Sequence, residues 1–355
     1  MPVDVRSQSV QATQVPLEEP LAKAAASLRQ AGSVVVVGHI NPDGDALGST
    51  LALTVALRSL GIAAVPTWGA RNAEEPPAPL EPAWAAFLPG CDLIALPDDV
   101  PSRPDVVVAC DTAAASRLGT LEGLLTSAGT TIVIDHHAVG DGFGDIRIVD
   151  DSRSCTGVLV LELIDQLGVA LTSAIADALY LALLTDTGRF AFQSTTAQDH
   201  RIAARLLDAG ADHVAVTRAV YESAGVGYLD LVARVTQRAV VEPGLVASWV
   251  TVDDLRDTGS RENDPDGLIE LLRRVEGPDV TCFLRETADG TWRSSLRSKG
   301  ATDVASIAQA FGGGGHRMAA GFTGHGDAQS IIGALRRRLD TGASWPGQTT
   351  PGGGG

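Results

Sequence analysis

The chain has 355 residues, 45% of them hydrophobic, and its 27 basic and 43 acidic side chains leave a net charge of −16. Such a length fits two domains rather than one. So acidic a chain is a poor partner for long duplex nucleic acid, which is gripped through many Lys and Arg contacts to phosphate, although metal ions or a local basic pocket still let it take a small anion.

In chain order, residues 1–17 are polar and irregular and are expected to be disordered. MPVDVRSQSVQATQVP has neither the basic start nor the apolar middle of a signal peptide. No run approaches the roughly 18–20 apolar residues of a membrane span. A cytoplasmic protein without membrane partners is the expectation.

From about 20 to 190, apolar strands alternate with helical segments. VVVVG (34–38) leads into the helix-like DALGSTLALTVALRSL, closed by Gly61 at a C′ position. AAVPTW (63–68), DVVVACD (105–111) and TIVIDHH, which ends at His137, read as further strands. Continuous apolar runs of this kind suit strands buried on both faces of a parallel sheet. TGVLVLELIDQLG and SAIADALYLALLTDTG read as helices. The expected domain is an open α/β sheet flanked by helices, over 18–195.

Residues 196–238 are helical in pattern and poor in strand formers, and read as a connector. A smaller α/β domain with a mixed sheet follows over 239–340, and SWPGQTTPGGGG lies in a disordered Gly/Pro-rich tail, 341–355. The four cysteines, Cys91, Cys110, Cys155 and Cys282, lack CxxC spacing and read as buried free thiols.

Charged residues gather at the ends of the apolar strands. His39, Asp43 and Asp45 follow the first, Asp111 ends the third, and Asp135, His136 and His137 end the fourth. Open α/β sheets bind ligands beyond the carboxyl ends of their strands, so parallel strands bring these residues to one edge. Singly, Asp45 and Asp111 read as helix N-caps and the His-His pair as solvated side chains. Together with Asp186, they form a carboxylate and imidazole set suited to divalent ions such as manganese. Gly44 is expected to let Asp43 and Asp45 turn toward different ions. Two ions about 3.5–4 Å apart can serve a phosphoryl displacement by activating a water to hydroxide.

GGGGHRMAAGF (312–322) differs from a plain linker because it runs from an apolar helix end into His316 and a small-residue strand. A glycine loop there, Gly313, Gly314 and Gly315, is expected to offer backbone N–H groups to an anion, with Arg297 and Lys299 adding positive charge.

These residues resemble a known family. TIVIDHHAVG is similar to the name-giving motif of the DHH phosphoesterases, and VVVVGHINPDGDALGS resembles their first motif. CDTA (110–113) and LLTDTGRF (183–190) resemble the second and fourth, and RSSLRSKGATDVASIAQAFGGGGHRMAAGF resembles the DHHA1 signature. The likeness runs over about residues 30–340, with the motifs in the family's order.

The resemblance implies two Mn2+ ions, with Mg2+ or Co2+ as substitutes. One ion falls to His39, Asp43 and Asp111, the other to Asp45, Asp111, His136 and Asp186. It implies that His137 stabilises the phosphate or protonates the leaving oxygen, that Asp135 orients an imidazole, and that Arg297, Lys299, the glycines 313–315 and His316 hold another phosphate.

A two-domain chain resembles the branch that cleaves very short RNAs, such as pApA, and removes the 3′-phosphate of 3′-phosphoadenosine 5′-phosphate (pAp). Expected partners are short single-stranded oligoribonucleotides and small nucleotides, in a homodimer. The alternatives are a cyclic di-AMP phosphodiesterase, an inorganic pyrophosphatase or polyphosphatase, and a nucleotide-sensing protein without catalysis.

Overall fold

The computed structural model describes residues 17–80, 87–137, 140–261 and 264–340; the tails, 1–16 and 341–355, and the side chain of His316 lie outside the described residues. The chain forms two compact units that divide between Ser223 and Ala224.

The valine run becomes a strand because both of its faces are buried. In β1 (Ser33–Gly38), Val34 and Val36 join one apolar cluster while Val35 and Val37 join another on the opposite face. The same division recurs in β3 (Val106–Cys110) and β4 (Thr130–Asp135), with Val108 and Ile132 on one side and Val107 and Val133 on the other. With β2 (Ala63–Trp68) and β5 (Ile146–Val149), they form a parallel sheet in the order β2-β1-β3-β4-β5. The order reverses between β1 and β3, which is the switch point where such sheets bind ligands. The short edge strand β5 and the helix α1 (Glu18–Gln30) are additions to the expected elements.

α2 (Gly44–Ser59) is buried over almost its whole length. Leu60 caps it and Gly61, at φ 79°, turns the chain away, as the sequence suggests. After the short α3 (Leu124–Ser127) come α4 (Thr156–Gln166) and α5 (Ser173–Asp186). α2 crosses α5 through small residues: a Cβ at Gly48 would lie 2.3 Å from the Ala178 carbonyl oxygen, and one at Gly44 would lie 2.5 Å from Thr185 Cγ2. Gly44 is therefore needed for close approach; its φ is not in the left-handed range, so the expected backbone freedom is not its role. α6 (Ala197–Asp208) and α7 (His213–Tyr221) pack on α5 and complete this unit.

In the second unit, α8 (Tyr228–Gln237) packs on a six-stranded mixed sheet. Its strands are β6 (Val240–Glu242), β7 (Leu245–Val250), β8 (Val280–Glu286), β9 (Trp292–Ser298), β10 (Gly314–His316) and β11 (Ala319–Gly324), in the order β10-β11-β9-β8-β7-β6. β7 and β8 pair in parallel, and the other neighbours are antiparallel. The helices α9 (Val252–Thr258), α10 (Leu268–Arg273), α11 (Val304–Ala310) and α12 (Ala328–Asp340) accompany it.

The expected glycine loop is a turn and an edge strand. Residues 314–316 pair antiparallel with 319–321, and the glycines permit close packing: a Cβ at Gly313 would meet the Gly321 carbonyl oxygen at 2.1 Å, and one at Gly315 would meet Ala320 Cα at 2.5 Å. Cys110, Cys155 and Cys282 are buried free thiols, while Cys91 is half-buried. No helix among the described residues is long and apolar enough to cross a membrane.

Helix propensity alone favours Ala over Gly by about 1 kcal/mol. The Ala178 backbone reverses that sign, so Gly48→Ala should destabilise the protein by about 1–3 kcal/mol, seen as a lower midpoint in thermal denaturation; a raised midpoint would show that the α2–α5 crossing is looser than described.

Candidate metal centre

The end of β1 delivers His39, which is 4% exposed, to the sheet edge. Its Nδ1 lies 2.8 Å from the Ile40 carbonyl oxygen, which can only accept, so Nδ1 carries a proton and Nε2 is the atom left to take a metal ion or a second proton. Nε2 faces Asp111 Oδ2 at 3.4 Å and Asp43 Oδ2 at 3.8 Å, buried and without a hydrogen-bond partner. One imidazole nitrogen and two carboxylates converge here, an arrangement that calls for positive charge between them, either a metal ion or a second proton on the ring. Burial disfavours the charged ring, but Asp111 and Asp43 outweigh it and raise the His39 pKa to about 9.

Asp43, and not Asp45, is the N-cap of α2: its Oδ1 accepts from the backbone N–H groups of Asp45 at 3.1 Å and Ala46 at 3.0 Å. That leaves Oδ2 for His39. Asp45 sits inside the first turn, 1% exposed. It accepts from Thr156 N at 2.7 Å, Gly157 N at 2.9 Å and Ser49 Oγ at 3.1 Å. The N-terminus of α4 thus holds this carboxylate by its free N–H groups and positive dipole end. Thr156 and Gly157 were not among the expected site residues; their N–H groups hold Asp45 and leave no mark in the sequence, although Thr156 adds its hydroxyl as well.

Asp111 follows β3 with φ 62°, a conformation rare for a residue with a Cβ and common at functional sites. Its N–H donates to the Ile134 carbonyl at 2.9 Å. Its oxygens look two ways: Oδ2 toward His39, and Oδ1 toward His136 Nε2 at 3.7 Å while accepting from Thr156 Oγ1 at 3.0 Å. His136 Nε2 also lies 3.1 Å from Asp186 Oδ2, at the end of α5, and 3.8 Å from Asp45 Oδ2. Burial, together with neighbouring carboxylates, pushes Asp45 and Asp186 well above the usual carboxylate range. Burial also lowers His136.

His137 sets Nδ1 2.7 Å from Oδ1 of the fully buried Asp135. Burial opposes charge on this ring, but Asp135 prevails and raises its pKa. Among the described residues, three groups present donor atoms close enough to hold a metal: His39 with Asp43 and Asp111, Asp45 with His136 and Asp186, and Asp111 with His136 and His137. The orphaned Nε2 and the mixed carboxylate and imidazole donors fit divalent ions of the manganese type.

The remaining expected residues stand in the second unit. Arg297 Nη1 donates to the Leu296 carbonyl at 3.1 Å, and its Nε lies 3.4 Å from Glu270 Oε1. Lys299 Nζ donates to the Val275 carbonyl. Gly314 and Gly315 belong to the edge strand, with Gly313 just before it.

Residues 33–183 match the model of the DHH family, N-terminal domain, and residues 245–340 match that of the DHHA1 domain. The bifunctional oligoribonuclease and PAP phosphatase NrnA of Thermus thermophilus is 36% identical over 82% of this chain and 84% of its own. The Bacillus subtilis protein of the same name is 28% identical over 81% of this chain and 88% of its own. The crystal structure of an exopolyphosphatase-related protein from Bacteroides fragilis superposes with a TM-score of 0.81 at 25% identity, covering 94% of this chain and 98% of that one.

The electrostatics give a signed expectation. His39 and His137, raised above the usual histidine value, stabilise the fold below it, and that stability is lost as pH rises through their folded values. Raised carboxylates act in the same direction, because the folded chain holds protons that the unfolded chain has released. His136 opposes them only below its ordinary value near 6.5. The metal-free protein should therefore melt at lower temperature as pH rises from about 7 to 9, and added Mn2+ should raise the midpoint more at the upper end. A metal-induced shift that shrinks with rising pH would contradict this.

Proposed function

The chain belongs to the DHH family and is a phosphoric ester hydrolase, and from that premise we propose that it is a manganese-dependent enzyme that cleaves very short oligoribonucleotides and removes the 3′-phosphate of pAp. The observation that carries this reading is the division of Asp111, with one oxygen toward His39 and the other toward His136. The similarity to proteins named oligoribonuclease and PAP phosphatase supports the substrate class.

His39, Asp43 and Asp111 would hold one divalent ion, and Asp45, Asp111, His136 and Asp186 the other. Bound there, such ions supply positive charge for phosphate oxygens and make a water more acidic. The protein supplies position. Two backbone N–H groups and Ser49 fix Asp45, and Asp43 is pinned by its cap role. With Nδ1 given to Asp135, His137 serves the substrate through Nε2, donating to the phosphate or protonating the leaving oxygen. Asp135 keeps that ring oriented and its proton available near neutral pH.

The net charge of −16 agrees with small substrates. Selectivity for a di- to pentanucleotide asks for a local basic site rather than a basic face. Arg297, Lys299 and the backbone of β10, with His316, serve as that site in the DHHA1 unit.

One Mn2+-loaded preparation assayed on pApA, RNAs of two to five nucleotides, pAp, cyclic di-AMP and pyrophosphate tests this. The first three classes should be hydrolysed with the highest kcat/KM. Faster phosphate release from pyrophosphate, or no nucleotide product, would overturn the reading.

Two substitutions test the roles. Asp186→Asn should remove at least about 10^3-fold of activity, the scale of a missing transition-state interaction, while the metal-free melting midpoint stays at or above that of the parent because a crowded charge is gone. His137→Ala should lower kcat by about 10^2–10^4-fold, with Mn2+ affinity retained.

A further inference from the structure

We propose that the hydrogen bond between Ser154 and Asp199 is a positioning tether: it locks the loop before α4 to the start of α6, and so sets the spacing of the ligands of the ion assigned to Asp45, Asp111, His136 and Asp186. This deepens the function proposed above and rests on it.

Those ligands come from two sides. The loop between β5 and α4 serves the first. The Arg153 carbonyl oxygen lies 3.4 Å from His136 Nδ1 and can only accept, so Nε2 is left to face the ion. Thr156 and Gly157 donate their backbone N–H groups to Asp45, and Thr156 Oγ1 donates to Asp111. One loop thus orients Asp45, Asp111 and His136 together. Asp186 stands apart from it. Its carboxylate meets His136 Nε2 at 3.1 Å, but among the described residues no hydroxyl or backbone N–H group donates to it. Its place therefore depends on the backbone around it.

That backbone is constrained at both ends. α5 stops at Asp186, and the chain then turns through Gly188, Arg189 and Phe190, at φ 54°, 61° and 62°. Left-handed residues with a Cβ are rare and persist only where the surroundings over-determine them. Thr187 does so from within the turn: its Oγ1 donates to the Leu183 carbonyl at 2.6 Å and accepts from Phe190 N at 3.1 Å. The far end of the turn leads into α6, where Asp199 is almost fully buried. Its Oδ2 serves the helix cap, accepting from Thr196 N at 2.6 Å and Thr196 Oγ1 at 2.8 Å. The cap leaves Oδ1 over, and Oδ1 accepts from the equally buried Ser154 Oγ at 2.6 Å. A buried carboxylate needs such donors, and a bond this short to an ionised acceptor is among the stronger kind. Ser154 belongs to the loop that orients Asp45, Asp111 and His136. The bond therefore ties that loop to the segment that follows Asp186.

Calorimetric titration of the full-length metal-free protein with Mn2+, alongside thermal denaturation, tests the tether. The parent should take up two ions per chain. Ser154→Ala should weaken the binding of one by about 10–100-fold, the scale of a lost supporting bond behind metal ligands, and leave the other unchanged. Ser154→Cys, whose thiol is a weaker donor, should fall between parent and alanine variant, and carries the test if the alanine variant does not fold. Thr196→Ala is the control: it removes the cap hydroxyl of α6 and lowers the melting midpoint, yet should keep both affinities. Unchanged affinities in the Ser154 variants would overturn the tether and leave the α2–α5 crossing as sufficient to place Asp186. Equal weakening of both ions, or the same loss in Thr196→Ala, would overturn it too, as an effect of general stability. A parent that binds two ions but hydrolyses none of the nucleotides fails the functional reading, and the titration still decides the tether; a parent that binds fewer than two overturns both.

Discussion

The whole N-terminal unit is organised around the crowding of carboxylates at one buried sheet edge. Asp45 and Asp111 are almost fully buried, and Asp186 approaches the same imidazole that they do. Uncompensated, such charges repel one another at short range in a medium that screens poorly. The fold answers in part with its own dipoles: the first-turn N–H groups of α2 donate to Asp43, its N-cap, and those of α4 donate to Asp45. It leaves the balance to cations. The glycine-lined crossing of α2 and α5 follows from the same constraint, since only close approach of these helices brings Asp186 to His136.

This arrangement also explains the strain at Asp111. A left-handed backbone directly after β3 turns the side chain back across the strand ends, so that it meets His39 on one side and His136 on the other. An ordinary extended residue would continue the strand direction. The conformational cost, on the order of 1–3 kcal/mol, is consistent with a residue retained for its position.

Much of this could be read from the residues. Apolar runs ending in Asp and His located the strands and their functional edge, since doubly buried parallel strands tolerate polar side chains only at their ends. What the pattern hid was of two kinds. Backbone contributions left no mark: Thr156 and Gly157 hold Asp45 through N–H groups that any residue but proline carries, and Asp43 rather than Asp45 takes the cap because the helix begins one residue earlier than its apolar pattern. Glycine also carries a reason that the pattern hides: Gly44 packs tightly against Thr185, and Gly313 and Gly315 pack tightly against β11, which depends on neighbours distant in sequence. The short edge strand β5, half exposed, has too weak an apolar pattern to be noticed.

The central claim is that this carboxylate cluster is built around two divalent ions that share Asp111. Anomalous diffraction at the manganese edge, from crystals grown with Mn2+, tests it most directly. Two peaks are expected about 3.5–4 Å apart, one ringed by His39, Asp43 and Asp111 and the other by Asp45, Asp111, His136 and Asp186. A single peak, or density remote from Asp111, would contradict it.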